Sequence, residues 1–365
     1  MHLVESLALR PLPAAGVYMT LTRRCPLSCA HCSTNSMLNS EEHAADLFLR
    51  FADSLSAADH PDLLVLTGGE ALLRPKLVQA IAERAHSVGA RVQLISGMFF
   101  ARQARVPAAL ARAIDQVDLF TASLDVFHEE QVPRAAVLRV MRSLLDQGKD
   151  LSFQVTGMDE HDPYLAEVID DIRRTLDDRV PILVAKVGPV GRAKSWYQSH
   201  NDAGPGRAVE IMEDPCAMAA WPTVTFDGTV VACCNQTVVD GLPVPHLRLG
   251  HTAEDGWAVI RERFLSRTLP RAIRLFGPLY LADRFGSGKV SCDGYCATCY
   301  RLSEDPTIEQ RLEPLMSSPG MRIVETEVAL MQQPGFVQRY GVGPYAHLVA
   351  LGAPDDSKTK MMVGV

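Results

Sequence analysis

Short runs of β-branched and aliphatic residues recur along the first two hundred positions, at 17–21, 63–66, 92–95, 119–122, 152–155 and 182–185. Their length and composition predict six strands. Between them, apolar residues fall three and four apart, as in Ala44, Leu47, Phe48 and Phe51, in Leu77, Ile81 and Ala85, and in Val137, Val140, Met141 and Leu144. That spacing places them on one face of an amphipathic helix. Strands about thirty residues apart, each followed by a helix, predict right-handed crossovers and a parallel sheet. The expected fold class is α/β, a partial (β/α)6 barrel of the TIM-like kind.

In such a fold the chemistry gathers beyond the C-terminal strand ends. Polar residues fall there: Thr67, Gly68, Gly69 and Glu70 after the second run, Ser96 and Gly97 after the third, Ser123 and Asp125 after the fourth, Thr156 after the fifth and Lys186 after the sixth. Taken singly, Ser96 or Thr156 also suits an ordinary turn or cap. The pattern changes after Gly191. Loop-like stretches at 204–207, 243–245 and 286–288 separate short segments, which places a barrel at 1–194, a small cysteine-rich domain at 195–310, and a helical segment with a loose tail at 311–365.

Composition narrows the class. A chain of 365 residues with 47% hydrophobic content builds a sizeable core and suggests about two domains. With 36 Lys and Arg against 43 Asp and Glu, it lacks the basic footprint of a nucleic-acid binder. No apolar run approaches the ~20 residues of a membrane span. The N-terminal stretch carries Glu5 and Arg10 where a signal peptide is apolar, so a soluble, cytoplasmic protein is expected.

The nine cysteines form three groups: Cys25, Cys29 and Cys32; Cys216, Cys233 and Cys234; Cys292, Cys296 and Cys299. Clustered thiols in a long chain of this kind point to metal or redox chemistry rather than a disulfide framework. The first group, in the string CPLSCAHC, directly follows the first strand, so one loop can wrap three thiolates around a single cluster. Iron–sulfur clusters take thiolate ligands, normally four; three leave one iron open to a substrate or cofactor. The competing reading is zinc with His31 as fourth ligand, but His31 abuts Cys32, and adjacent residues rarely converge on one tetrahedral ion. Asp227 and Gly228 signal a hairpin between two β-rich runs, which brings Cys216 and Cys233 together at its base. Zinc also competes for these later groups.

The cysteine string after the first strand and Gly68, Gly69 and Glu70 after the second together resemble the radical S-adenosylmethionine (SAM) superfamily. The resemblance implies a 4Fe-4S cluster on Cys25, Cys29 and Cys32, with SAM on the open iron. Reductive cleavage of SAM then gives a 5′-deoxyadenosyl radical that abstracts a substrate hydrogen. It implies further that Gly68, Gly69 and Glu70 meet the methionine amino group, that His31 lies near the adenine, and that Ser96, Ser123 and Asp125 touch the ribose or the carboxylate. Asp125 and His128, in SLDVFHEE, are the next candidates for the site.

The later cysteines, with GPVGRA at 188–193, resemble the SPASM or shortened twitch extension of one branch, which carries auxiliary 4Fe-4S clusters. A full SPASM pattern uses seven cysteines for two clusters, and six are present. At least one auxiliary cluster is expected, on Cys216, Cys233, Cys296 and Cys299. Cys234 and Cys292 are left over, the choice between Cys233 and Cys234 is open, and a second cluster with an incomplete shell is the alternative. By resemblance the activity is oxidative modification, such as crosslinking, of a ribosomally made peptide precursor. The alternatives are dehydrogenation or epimerisation of an aminocyclitol or sugar, and peptide epimerisation with Cys234 or Cys292 as hydrogen donor. Only 24 residues precede Cys25, so a leader-binding domain is expected to be absent; either a separate protein presents the leader or the substrate is a small molecule. A flavodoxin- or ferredoxin-type protein is expected to supply electrons. An electron carrier needs neither open iron nor barrel, and a zinc-stapled binding module needs a basic or aromatic surface the sequence lacks.

Overall fold

The computed structural model describes residues 1–200, 214–241, 244–290 and 294–354, with side chains through 197 in the first stretch. The six apolar runs become β1 (Gly16–Thr20), β2 (Leu63–Thr67), β3 (Arg91–Ser96), β4 (Leu119–Leu124), β5 (Leu151–Gly157) and β6 (Ile182–Lys186). All six are parallel and neighbour one another in sequence order. Helices Ala45–Asp53, Pro75–Val88 and Arg134–Asp146 form where the apolar spacing predicted them, and Ala108–Asp115 and Pro163–Thr175 complete the crossovers. In Pro75–Val88, Pro75 starts the first turn, Leu77, Val78, Ile81, Ala82 and Ala85 face the sheet, and Gly89 stops the helix at φ +99°.

The barrel does not close. On one side β1 pairs with β7 (Thr223–Val224), followed by antiparallel β8 (Thr229–Val231) and β9 (Arg248–His251), giving one nine-stranded sheet. The expected hairpin is there: Gly228 turns at φ +90°, and the Asp227 carboxylate accepts from the Thr229 N–H at 2.9 Å. Val224, Val230 and Val231 join the same apolar cluster as Val17, Met19 and Phe48 of the barrel, so the second half extends the first sheet and shares its core. Helix Pro306–Met316 runs across residue 310. On the other side, the edge of β6 is covered rather than paired to β1. The Val342 N–H donates to the Val184 carbonyl at 3.0 Å, and Phe336, Val337 and Val349 pack on Leu3, Val4 and Leu7 of the N-terminal helix. Covering an edge strand removes a template for unwanted pairing. Among the described residues no helix is long and apolar enough to cross a membrane.

Trp221 joins the two halves. It is fully buried, its indole N–H donates to the Leu9 carbonyl at 3.1 Å, and its ring lies where a Cβ on Gly16 of β1 would come within 2.6 Å. Gly16→Ala should therefore overpack this junction and lower unfolding free energy by ~1–3 kcal/mol in denaturant titrations. Gly335→Ala, inside helix Pro319–Tyr340 with nothing within 4 Å of the added methyl, should instead raise it by about 0.5–1 kcal/mol.

Candidate active site

The first cysteine loop leaves β1 and is held by the turn that leaves β2. The Gly69 N–H donates to the Thr22 carbonyl at 2.6 Å and the Glu70 N–H to the Arg24 carbonyl at 2.9 Å. A Cβ on Gly68, at φ +143°, would meet the Thr22 carbonyl at 2.5 Å, and one on Gly69 would meet those of Arg23 and Arg24 at 2.5 Å. Both positions thus need glycine for close backbone approach. The sulfurs of Cys25, Cys29 and Cys32 line one cavity with Gly68 and Gly69. Each accepts an N–H: from Leu27 to Cys25 at 3.4 Å, from the Gln131 amide to Cys29 at 3.6 Å, and from Ser36 to Cys32 at 3.5 Å. Burial pushes the Cys25 thiol up to about 12, with Glu70 and the other two thiols adding to it. Three converging sulfurs with N–H donors behind them fit an iron–sulfur cluster, whose properties such hydrogen bonds tune.

A clamp from the end of the barrel closes over the same loop. Arg192 donates its backbone N–H to the Cys32 carbonyl at 2.8 Å and Nη1 to that of Cys29 at 2.6 Å, while the Trp196 indole reaches the Ala30 carbonyl at 2.7 Å. Gly191, at φ +56°, leaves no room at all: its Cβ would lie 2.0 Å from the Ser33 carbonyl oxygen.

Glu70 lies beneath the cavity and is not among its lining residues. Its carboxylate is buried and accepts from the N–H of Leu72, the hydroxyl of Ser96 and the N–H of Gly97, each at 3.0 Å. Burial pushes its pKa up to about 7, and those three donors offset part of the effect. Ser96 is likewise committed, donating to Glu70 and accepting from the Met98 N–H at 3.1 Å, and it too is absent from the lining. Gly97, Ser123 and Asp125 do line the cavity, as do Thr67 and Thr156, whereas Lys186 is exposed elsewhere.

Asp125 caps the helical turn Val126–Glu129 through the His128 N–H at 2.9 Å. Its second oxygen meets His128 Nδ1 at 2.6 Å and His31 Nε2 at 3.1 Å. Burial alone would raise this carboxyl, but the His128 charge and the bonds from both imidazoles hold it well below the usual carboxylate range. Burial would likewise lower His128, yet Asp125 raises it well above an ordinary histidine. The His31 ring stacks on Phe127 at 4.8 Å. The three side chains form one hydrogen-bonded unit beside the cysteine loop.

The cavity, of about 360 Å³, continues from the first cysteine group to Tyr18, Thr223, Cys234 and Gln236. Behind Cys234 the later thiols converge from three elements. Cys216 precedes the turn Ala217–Ala220, Cys233 and Cys234 follow β8, and Cys296 and Cys299 lie one turn apart on helix Tyr295–Arg301. Asn235 spans them, its N–H on the Cys233 sulfur at 3.3 Å and its amide on the Cys296 sulfur at 3.5 Å. Burial drives the Cys233 and Cys299 thiols well above normal, and neighbouring thiols, Cys216 among them, push the same way. Cys292 lies outside the described residues. Gln131 and Trp196 carry no motif, and Phe127, inside SLDVFHEE, is an ordinary apolar residue there, so sequence reasoning passed over them.

Residues 19–172 match the family model of the Radical SAM superfamily. The match takes in β2 to β5, and SAM with a 4Fe-4S cluster are the cofactors that go with that superfamily. No curated protein matches the chain. Among solved structures it is similar to Streptococcus suis SuiB bound to precursor peptide SuiA, at 11% identity, a TM-score of 0.48, and coverage of 84% of this chain and 77% of that one. It is similar also to anSMEcpe with bound AdoMet, at 12% identity, a TM-score of 0.47, and coverage of 68% and 80%. A third similar structure is BtrN in complex with AdoMet and 2-DOIA, at 13% identity, a TM-score of 0.40, and coverage of 71% and 87%.

Two substitutions test the scaffold. Gly191→Ala displaces the cysteine loop and should remove roughly four irons per chain after anaerobic reconstitution, as read by iron and sulfide analysis. Glu70→Gln sets an amide donor against an N–H it cannot pair with, and should cost ~1–3 kcal/mol in unfolding experiments even without cofactor.

Proposed function

We propose that the radical SAM domain at residues 19–172 serves an enzyme that oxidises a ribosomally made peptide, with a second iron–sulfur centre on the later thiols. The reading rests on one observation: a single cavity reaches from Cys25, Cys29 and Cys32 to Cys234, at the edge of the second thiol group. Bound at the first group, the cluster and SAM supply hydrogen-atom abstraction. The chain's own residues hold that chemistry in place. Leu27, Gln131 and Ser36 direct N–H groups at the thiols, Gly68 and Gly69 admit a ligand close to backbone, and Asp125 fixes both imidazoles at the cavity wall.

The remaining lining favours a peptide. Thr20, Thr156, Gln154 and Gln236 offer hydroxyl and amide groups that match peptide N–H and C=O. Gln236 and Thr223 also line the cavity, and their Nε2 and Oγ1 are buried without a partner. An aminocyclitol would bring an amine in need of an acid, and the one carboxylate in the described lining, Asp125, is already held by two imidazoles.

Replacing Cys25, Cys29 and Cys32 together with Ala should abolish 5′-deoxyadenosine formation while the remaining iron stays bound. Unchanged SAM cleavage by that variant would sink the assignment. On a peptide substrate, the expected product lacks hydrogen relative to its precursor. In deuterated water, label entering a substrate carbon and disappearing in Cys234→Ala with iron retained would show epimerisation with Cys234 as donor instead.

A further inference from the structure

Arg10 follows the N-terminal helix Leu3–Leu9 and is 3% exposed, yet among the described residues no carboxylate pairs with it. Its guanidinium lies 4.4 Å from the centre of the Trp221 ring and 5.2 Å from that of Tyr18. Nη2 reaches only sulfur, Met218 at 3.4 Å and Cys234 at 3.8 Å, and Nη1 is buried with no partner. Aromatic faces compensate a buried cation by about 2 kcal/mol when desolvated, whereas the effective desolvation penalty is several kcal/mol per ion. A buried guanidinium with a spare N–H and no acid therefore calls for an anion that the polypeptide does not itself provide.

The anion has one evident source nearby. Cysteines bind metal as thiolates, so the second thiol group turns from neutral to negative when it is loaded. Arg274, on the far side near Cys216, also has a buried Nη1 without a partner, but it shares its small cavity with Glu325. Among the described residues Arg10 has no such neighbour.

We propose that Arg10 is the built-in counter-ion of the auxiliary iron–sulfur centre and raises its reduction potential. This rests on the presence of that centre, as argued above. A fixed positive charge favours the more negative, reduced form, so the centre accepts an electron from the substrate more readily. Arg10 acts through the cluster's charge and is a positioning residue. Its stacking on Trp221, which also packs under β1, fixes it in one place.

The test uses the full chain carrying Ala at Cys25, Cys29 and Cys32, reconstituted anaerobically with iron and sulfide so that only the auxiliary centre remains. Iron is counted, and the centre is titrated potentiometrically by electron paramagnetic resonance. Arg10→Met should shift the oxidised-to-reduced ratio at a set potential at least tenfold toward oxidised, which is ~59 mV for one electron. Arg10→Lys, which keeps the charge, should stay within about threefold of the parent, or ~28 mV by the same relation. Should Arg10→Met fail to fold, Arg10→Gln carries the same expectation of a tenfold shift. If the parent background binds no iron, the auxiliary centre is refuted and the inference falls with it. If it binds iron and the neutral variants titrate with the parent, or Arg10→Lys falls as far as they do, the inference alone is overturned.

Discussion

Two backbones, the loop leaving β1 and the turn leaving β2, approach closer than any side chain would allow, and the site depends on that contact. Gly68 and Gly69 lie against the carbonyls of Thr22, Arg23 and Arg24, and their neighbours exchange the hydrogen bonds that fix the loop. Because β1 and β2 are in parallel register from Gly16 and Leu63 to Thr20 and Thr67, both loops emerge at the same height. The cysteines then start from a fixed point. Arg192 and Gly191 close the loop from the opposite side, so its carbonyls are satisfied before any cofactor is present.

Two buried carboxylates support this arrangement in opposite ways. Glu70 is met by neutral N–H and O–H donors, and burial leaves it with a pKa of about 7. It ties the loops after β2 and β3 together by hydrogen bonding. Asp125 is met by two imidazoles and stays charged, because a nearby cation outweighs desolvation. One carboxylate thus lies under the cavity and one in its wall. Their partners, not their residue type, separate the roles.

The second half of the chain is grafted on through β7, whose pairing with β1 replaces the contact that would have closed the barrel. This graft carries Cys234 to the cavity's far end. It also leaves β6 as an edge, which the segment around Val342 covers. The same junction buries Arg10 among aromatic rings and sulfur.

The strands, three of the helices and the hairpin at Asp227 and Gly228 were legible in the chain, because period and turn chemistry are local properties. The grouping of Cys25, Cys29 and Cys32 was legible too, since all three lie within one loop. Glu70 and Ser96 hold motif positions that point to a ligand, but the chain by itself does not show that the Glu70 carboxylate accepts from the N–H of Leu72 and Gly97, donors that only the packed loops bring within reach. The pairing of β7 with β1 was not legible either, since β7 is two residues long and its partner strand lies some two hundred positions earlier. Convergence of Cys216, Cys233, Cys296 and Cys299, the Arg192 clamp and the unpaired Arg10 belong to tertiary structure for the same reason. Each depends on distances between residues far apart in sequence, which no local pattern encodes.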